Sequence, residues 1–281
     1  MTADSIEKRP IDRQPRSRQH DFEPPAPIRN FMDARLDFPR SVPLRKSFIV
    51  ASSYRCGSTF FCSHLWRTGV LGAPAEYLNT SASRMLRDIM MRRLRADSPQ
   101  HYLAKLLACR TSRNGVFGMK VHFHHFEAAI SWYPSMLRVL APVTYIYLNR
   151  KDRLAQAVSM TKALQTDVWS SLESNVNPTL VYNEAFIVQC LREIQQQNFS
   201  WLRWFKINKI KPFVVHYEDS VADTAGAARS IIELLDVQND EPDQICLPFI
   251  EKLGDDVNLE WRERFERAAP DWESWFPSPD L

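Results

Sequence analysis

Residues 47–59 read Ser47-Phe-Ile-Val-Ala51-Ser-Ser-Tyr-Arg55-Cys-Gly57-Ser-Thr59. The apolar run Phe48–Ala51 predicts a strand buried on both faces, as in a parallel sheet. It gives way to the polar turn Ser52–Thr59, and an amphipathic helix follows from about Ser58 to Thr68, stopped by Gly69. Strand, glycine-containing turn and helix N-terminus in that order present unpaired backbone N–H groups and the positive end of a helix dipole. Such an arrangement suits a phosphate or sulfate group. The turn is not a Walker A loop, because no G-x-x-x-x-G-K-[ST] occurs anywhere in the chain. Arg55 stands before the glycine, and the hydroxyls of Ser58 and Thr59 stand after it. The loop is therefore expected to grip an anion with an arginine fork and hydroxyls, without a magnesium-holding arrangement.

Downstream, strand and helix signals alternate. Gly115–His122 gives a short strand, and Val143–Asn149 a stronger one, β-branched and aromatic. A helix is expected from about Arg153 to Leu164 and a long amphipathic one from about Asn183 to Phe205. Phe213–Tyr217 predicts another strand and Thr224–Leu235 another helix. Strands separated by helices predict a doubly wound α/β fold, a parallel sheet flanked by helices. Ligands of such sheets collect beyond the carboxyl ends of the strands, where the motifs of interest fall. Asn258–Phe265 reads as a plain helix with charge pairs at helical spacing and supplies no site residue.

Composition sets outer bounds. The chain has 281 residues, enough for one large domain plus an extension, and a net charge of +3, too small to imply nucleic acid. No run of about 18 uninterrupted apolar residues exists to span a membrane, and no apolar leader segment is visible, so a cytoplasmic location is expected. Five widely spaced cysteines (Cys56, Cys62, Cys109, Cys190, Cys246) without a C-x-x-C pair read as reduced thiols, not a disulfide frame or metal site.

Charge is unevenly placed. Residues 1–46 hold ten Lys/Arg against seven Asp/Glu, with seven prolines and few periodic apolar positions. Residues 1–43 are therefore expected to be a disordered or draped arm before a single domain over 44–281. A basic zone runs from Ser83 to Arg113, where eight Lys/Arg face only Asp88 and Asp97. Its apolar residues recur at helical spacing, which predicts two helices broken near Asp97-Ser-Pro99. This helical insertion, about 80–113, is expected on the acceptor side of the site. Its basic face suits solvent, an anionic acceptor or a peripheral contact with a membrane surface.

The segment Ser53-Tyr-Arg-Cys-Gly-Ser-Thr-Phe-Phe61 resembles the 5′-phosphosulfate-binding loop of sulfotransferases, which use 3′-phosphoadenosine 5′-phosphosulfate (PAPS). Arg55, where cytosolic sulfotransferases usually carry Lys, and the following Ala75-Glu-Tyr-Leu-Asn79 are similar to the bacterial carbohydrate branch, of the trehalose 2-sulfotransferase type. A second stretch, Asn149-Arg150-Lys-Asp-Arg153-Leu-Ala-Gln-Ala-Val-Ser159, resembles the 3′-phosphate-binding element, in which an Arg ends a strand and a Ser follows on the next helix. Its R-x-D and QAVS pattern matches the carbohydrate branch, and both Arg150 and Arg153 are candidates for the main contact. Gln165-Thr-Asp-Val-Trp169 is similar to a further stretch of that branch. The resemblance spans roughly residues 47–232 and implies the sulfotransferase fold, P-loop-like, with PAPS as co-substrate. It assigns donor binding to Arg55, Cys56, Gly57, Ser58, Thr59, Phe60, Arg150 and Ser159. It implies no metal, and it alone supplies the expectation of a homodimer.

Sulfuryl transfer needs a base at the acceptor hydroxyl and positive charge near the sulfuryl and bridging oxygens. Two residues compete for the base. Glu76 matches the carboxylate of the carbohydrate branch, whereas His122, in Lys120-Val-His122, matches the K-x-H element of cytosolic sulfotransferases. The nearer resemblance favours Glu76, and Lys120 would then stabilise developing charge together with Arg55. A neutral His suits the task at pH 7 unaided, while a carboxylate would need its pKa raised by burial. The function expected is therefore transfer of sulfate from PAPS to a hydroxyl of a carbohydrate or glycolipid. A nucleotide-dependent kinase on a related sheet and an inactive binding protein are the alternatives, opposed by the absent Walker lysine and by the joint presence of Arg55, Lys120, Arg150 and Ser159. Tyr77, Trp132 and Trp169 are candidates for stacking on a sugar.

Overall fold

The computed structural model describes residues 28, 30–39, 41–82, 84–173, 179–238, 242, 243, 247, 249–251 and 253–276. Four strands, β1 (Lys46–Ser52), β2 (Val116–His122), β3 (Val143–Asn149) and β4 (Phe213–His216), form one sheet in the order β2-β1-β3-β4, every pairing parallel. Between β1 and β2 lie α1 (Ser58–Arg67), α2 (Leu86–Leu94) and α3 (Pro99–Arg110). Between β2 and β3 lie α4 (Phe123–Trp132) and α5 (Met136–Leu140). Helices α6 (Arg153–Thr166) and α7 (Glu184–Ile207) connect β3 to β4, and α8 (Tyr217–Ala222), α9 (Thr224–Leu234), α10 (Asp256–Ala268) and α11 (Trp272–Trp275) follow.

Strand β1 occupies the middle of the sheet because both its faces are apolar. Phe48 and Val50 pack with Phe61, Cys62 and Leu65 of α1 and Ile231 of α9. Ile49 and Ala51 point the other way, into a cluster with Phe126 of α4 and Trp201 and Phe205 of α7. Each large apolar side chain so buried contributes roughly 1.5–3 kcal/mol, which is why the strand reads as a continuous apolar run. Gly118 of β2 meets that run closely: a Cβ there would lie 2.3 Å from the Phe48 ring. A third cluster joins Leu154, Ala157 and Val158 of α6 to Ile187 and Leu191 of α7 and Trp261 and Phe265 of α10. It fixes α6 beside the carboxyl edge of the sheet.

Those carboxyl ends are level. Ser52 lies opposite both His122 and Leu148, and Asn149 opposite His216. From β1 the chain moves to β2 on one side and afterwards to β3 on the other, so the switch point lies at the end of β1, where ligands of open α/β sheets bind.

The predicted elements recur with shifts of up to three residues at their ends. Four of the described helices were not anticipated: α4, α5, α8 and α11. Tyr217, expected to end β4, instead begins α8. The basic zone folds into α2 and α3, but part of its charge turns inward. Arg93 donates two hydrogen bonds to the Asp37 carboxylate, at 2.7 and 3.0 Å, and the fully buried Arg110 approaches the same group at 3.0 Å. This clamp, with buried Met32, Leu36 and Phe38, binds residues 31–38 to the main body. The expectation for residues 1–27 lies outside the described residues. Cys56, Cys62 and Cys190 are buried free thiols and Cys109 is half-buried; Cys246 lies outside the described residues.

Candidate active site

The turn after β1 adopts two left-handed residues, Arg55 (φ 58°) and Gly57 (φ 78°). Only glycine fits the second. Its φ is costly for other residues, and a Cβ there would sit 2.1 Å from Cδ2 of Tyr217. Gly57 is also the N-cap of α1 and supplies no side-chain cap, so the first-turn amides of Ser58, Thr59 and Phe60 have no intrahelical acceptor. The buried Gln156 of α6 pins the loop from behind, its Nε2 donating to Ser53 Oγ at 3.0 Å and to the Tyr54 carbonyl at 2.5 Å.

In front of the loop lies a cavity of about 460 Å³. Its wall includes Arg55, Gly57, Ser58, Thr59, Phe60, Glu76, Lys120, His122, Arg150 and Ser159, so ten of the eleven expected site residues converge on one space. Cys56 is the exception. Its side chain packs in the apolar cluster behind the loop, and burial raises its thiol pKa, which leaves only its backbone to serve the site. Of the two arginines of the second motif, Arg150 borders the cavity. Arg153 turns away, donating to the Phe276 carbonyl with its guanidinium 5.8 Å from the Trp272 ring.

Positive charge dominates one wall. Arg55 donates through Nε to Ser159 Oγ (3.0 Å) and through Nη1 to the Trp169 carbonyl (2.5 Å), and among the described residues no carboxylate bonds it. Burial, then the neighbouring Arg150 and Arg84, lowers its pKa to about 10, so it stays charged at neutral pH. Arg150 lies 5.1 Å over the Tyr217 ring and 3.9 Å from Glu218, and its buried Nε has no hydrogen-bond partner. A buried guanidinium N–H left without an acceptor fits a site built for an anion.

At the adjoining wall, Lys120 Nζ donates to Thr59 Oγ1 at 2.8 Å and pairs with Glu76 Oε1. Burial alone would push the Glu76 carboxyl up, but Lys120, Arg84 and His122 outweigh it and hold the pKa well below the usual range. Asn79 donates to the other carboxylate oxygen. Burial lowers the His122 pKa to about 4, with Glu76 opposing, so the ring is neutral at pH 7. Its Nδ1 lies 3.2 Å from both the carbonyl and the hydroxyl of Ser52, one of which accepts and the other of which can donate, so either ring tautomer is accommodated there. Nε2 lies 3.9 Å from Glu76 Oε1. Glu76, Lys120 and His122 thus form one acid–base cluster.

Of the three aromatic residues considered for a sugar, only Trp169 borders the cavity. Tyr77 is fully buried, stacked on Phe117, and Trp132 carries Arg87 at 4.7 Å over its ring. Further cavity residues were not among the expected site residues: Tyr54, which lies inside the loop motif, together with Arg84, Tyr217 and a strip formed by Ile250, Leu253, Gly254 and Asn258. Tyr217 could have been found from its place at the carboxyl end of β4; Asn258 opens the stretch read as a plain helix without a site residue, a reading that its place on the cavity wall corrects, and the strip before it carries no local signal. Among the described residues no group of three or more His, Cys, Asp or Glu is arranged to hold a metal ion, and no helix is long and apolar enough to cross a membrane.

Comparison with known proteins adds a family. Residues 47–268 match the model of the Stf0 sulphotransferase family. A trehalose 2-sulfotransferase of Mycolicibacterium smegmatis is 25% identical over 262 residues, covering 79% of this chain and 95% of that protein. One of Mycobacterium tuberculosis is 26% identical over 127 residues, 45% of this chain and 46% of that protein. Among solved structures, retinol dehydratase in a complex with retinol and PAP aligns over 85% of this chain and 84% of that one, at 16% identity and a TM-score of 0.44.

Proposed function

The chain belongs to the Stf0 sulphotransferase family, and on that premise we propose that it transfers the sulfuryl group of PAPS to a hydroxyl of a carbohydrate or glycolipid acceptor. The observation that carries the donor assignment is Arg55: a half-buried guanidinium bonded, among the described residues, to neutral oxygens alone, on the wall of a cavity that the first turn of α1 also lines and whose second guanidinium, Arg150, has an unbonded N–H. The fit is to an anion with charge at two places. The loop amides, Arg55 and the Thr59 hydroxyl suit the phosphosulfate, and Arg150 with Ser159 suits the 3′-phosphate. Sugar as acceptor class is supported by the relatives named for trehalose sulfation.

In this reading Glu76 takes the acceptor hydroxyl's proton, the oxygen attacks sulfur in line, and the bond from sulfur to the bridging oxygen breaks toward the phosphate. Lys120, held between Thr59 and Glu76, has both duties within reach. While it pairs with Glu76 the carboxylate is a weak base. Drawn toward the sulfuryl or bridging oxygens, it leaves Glu76 more basic and meets the developing charge. The neutral His122 flanks the carboxylate, its Nε2 3.9 Å from Glu76 Oε1, and lies beside the proton's path.

The test is transfer of label from ³⁵S-PAPS to a panel of mono- and disaccharides, glycolipids and non-sugar alcohols. Label on a sugar-bearing acceptor is the expected result. Efficient labelling of a non-sugar alcohol, with none on any sugar, would overturn the acceptor class.

A further inference from the structure

Segment 167–173 follows α6 and forms one side of the cavity. Its backbone turns at Asp167 (φ 53°), whose carboxylate accepts from the Trp169 indole N–H at 2.9 Å. Three separate parts of the site converge on it. The Trp169 carbonyl accepts from Arg55, the Ser171 hydroxyl accepts from the Glu251 amide at 2.9 Å, and the Glu173 carboxylate joins Arg84 at 2.8 Å. Glu173 does a second thing: its other oxygen accepts from the Trp169 backbone N–H at 2.6 Å. A continuous run of bonds therefore leads from Arg84 through Glu173 and the Trp169 peptide to Arg55 and Ser159.

We propose that Glu173 is a positioning residue for donor binding: by holding the Trp169 backbone N–H, it fixes the residue whose carbonyl aims the Arg55 guanidinium. The inference rests on the PAPS reading above. Arg55 has a left-handed backbone and a side chain with several rotatable bonds, and among the described residues two bonds orient its fork. One of them comes from α6, which is fixed by the core. The other comes from a loop whose own register depends on Glu173. With Nε and Nη1 so engaged, Nη2 is the nitrogen left to meet the donor. Preorganisation of this kind acts on affinity by removing the cost of ordering the arginine when the anion arrives.

Charge and bond make opposite predictions, and this permits a clean test. Glu173 is a negative group near an anion site, so deleting its charge alone would strengthen anion binding. Deleting its bond to Trp169 would weaken it. The experiment is calorimetric titration of 3′,5′-ADP into the wild-type protein, Glu173→Gln and Glu173→Met, with the last two repeated on an Arg55→Lys background. Glutamine keeps an acceptor for the Trp169 amide and loses the charge; methionine has similar length and accepts nothing. The expected results are affinity within about threefold of wild type, or tighter, for Gln, and about tenfold weaker for Met, the scale of one lost hydrogen bond. On the Arg55→Lys background, which cannot form the fork, the Met change should have little effect. Equal or tighter binding by Glu173→Met, or an equal loss on both backgrounds, would overturn the proposal. Should the Met variant not fold, Glu173→Ala is read in the same way. Absence of 3′,5′-ADP binding by the wild-type protein would instead overturn the PAPS reading itself.

Discussion

At the residue scale the decisive pair is Glu76 and Lys120. The expectation from sequence was that a catalytic carboxylate would have its pKa raised by burial. Glu76 is indeed buried, yet three nearby cationic or histidine groups reverse the outcome, and Lys120 is the strongest of them. No reading of a single residue's hydropathy reveals this, because it depends on Gly72–Asn79 and β2 meeting in space. We expect Glu76→Gln to lower turnover by ~100-fold or more while 3′,5′-ADP affinity stays unchanged, with His122→Asn the milder change. Steady-state kinetics beside calorimetry checks both; the reverse order would assign the base to His122. A second prediction concerns Gly57. Alanine there forces a left-handed backbone and drives the Tyr217 ring aside, at a cost of about 1–3 kcal/mol. Thermal unfolding and donor titration of Gly57→Ala should both show the loss.

At the element scale, the strands and long helices were legible because they are periodic and well terminated. The apolar run of β1, the Pro99 start of α3 and the amphipathic stripe of α7 each announce themselves. Helix α4 was missed because its sequence, Phe-His-His-Phe-Glu-Ala-Ala-Ile-Ser-Trp, has weak helix formers at its start and follows a strand without a turn residue. The site was legible where it lies in strand-end motifs, and illegible where segments far apart in sequence close over it, as with Arg84, Glu173 and Asn258. Helix α6 links the two cases. Asp152 caps it through the Ala155 amide at 2.9 Å and also receives Arg262 of α10 at 2.5 Å. Asp152→Ala should therefore lower stability by about 1–2 kcal/mol, most of it from the cap, since the ion pair is partly exposed. Denaturant unfolding measures it; an unchanged midpoint would mean that the α6 N-terminus is held by other bonds.

At the scale of the whole molecule, three adjacent histidines govern the response to acid. Burial is the first cause in each: it brings His122 to about 4 and His125 to about 3, and lowers His124 as well. These values lie below those of the unfolded chain, near 6.5, so the unfolded state binds more protons in that window. The stability they contribute is complete above about pH 6.5 and is lost as pH falls toward 4. Glu76, also depressed, adds to the loss below its ordinary range. The loss by pH 4 should be of the order of a few kcal/mol. Melting temperature should fall between pH 7.5 and 5, and His125→Gln should flatten that fall. A flat profile for the wild-type protein would mean that the histidines are not held neutral. The same packing that excludes their protons keeps His122 and Glu76 out of bulk water at the cavity wall.

Whether the cavity accepts a nucleotide bearing phosphates at the 3′ and 5′ positions of its ribose is tested directly by calorimetry on the full chain. Wild-type protein and Arg55→Ala are titrated with 3′,5′-ADP and with ATP, each with and without magnesium. Micromolar, magnesium-independent binding of 3′,5′-ADP is expected, with weaker binding of ATP and a loss of roughly 2–4 kcal/mol of 3′,5′-ADP affinity in Arg55→Ala. Failure to bind 3′,5′-ADP, or tighter magnesium-dependent binding of ATP that survives Arg55→Ala, would contradict the PAPS reading.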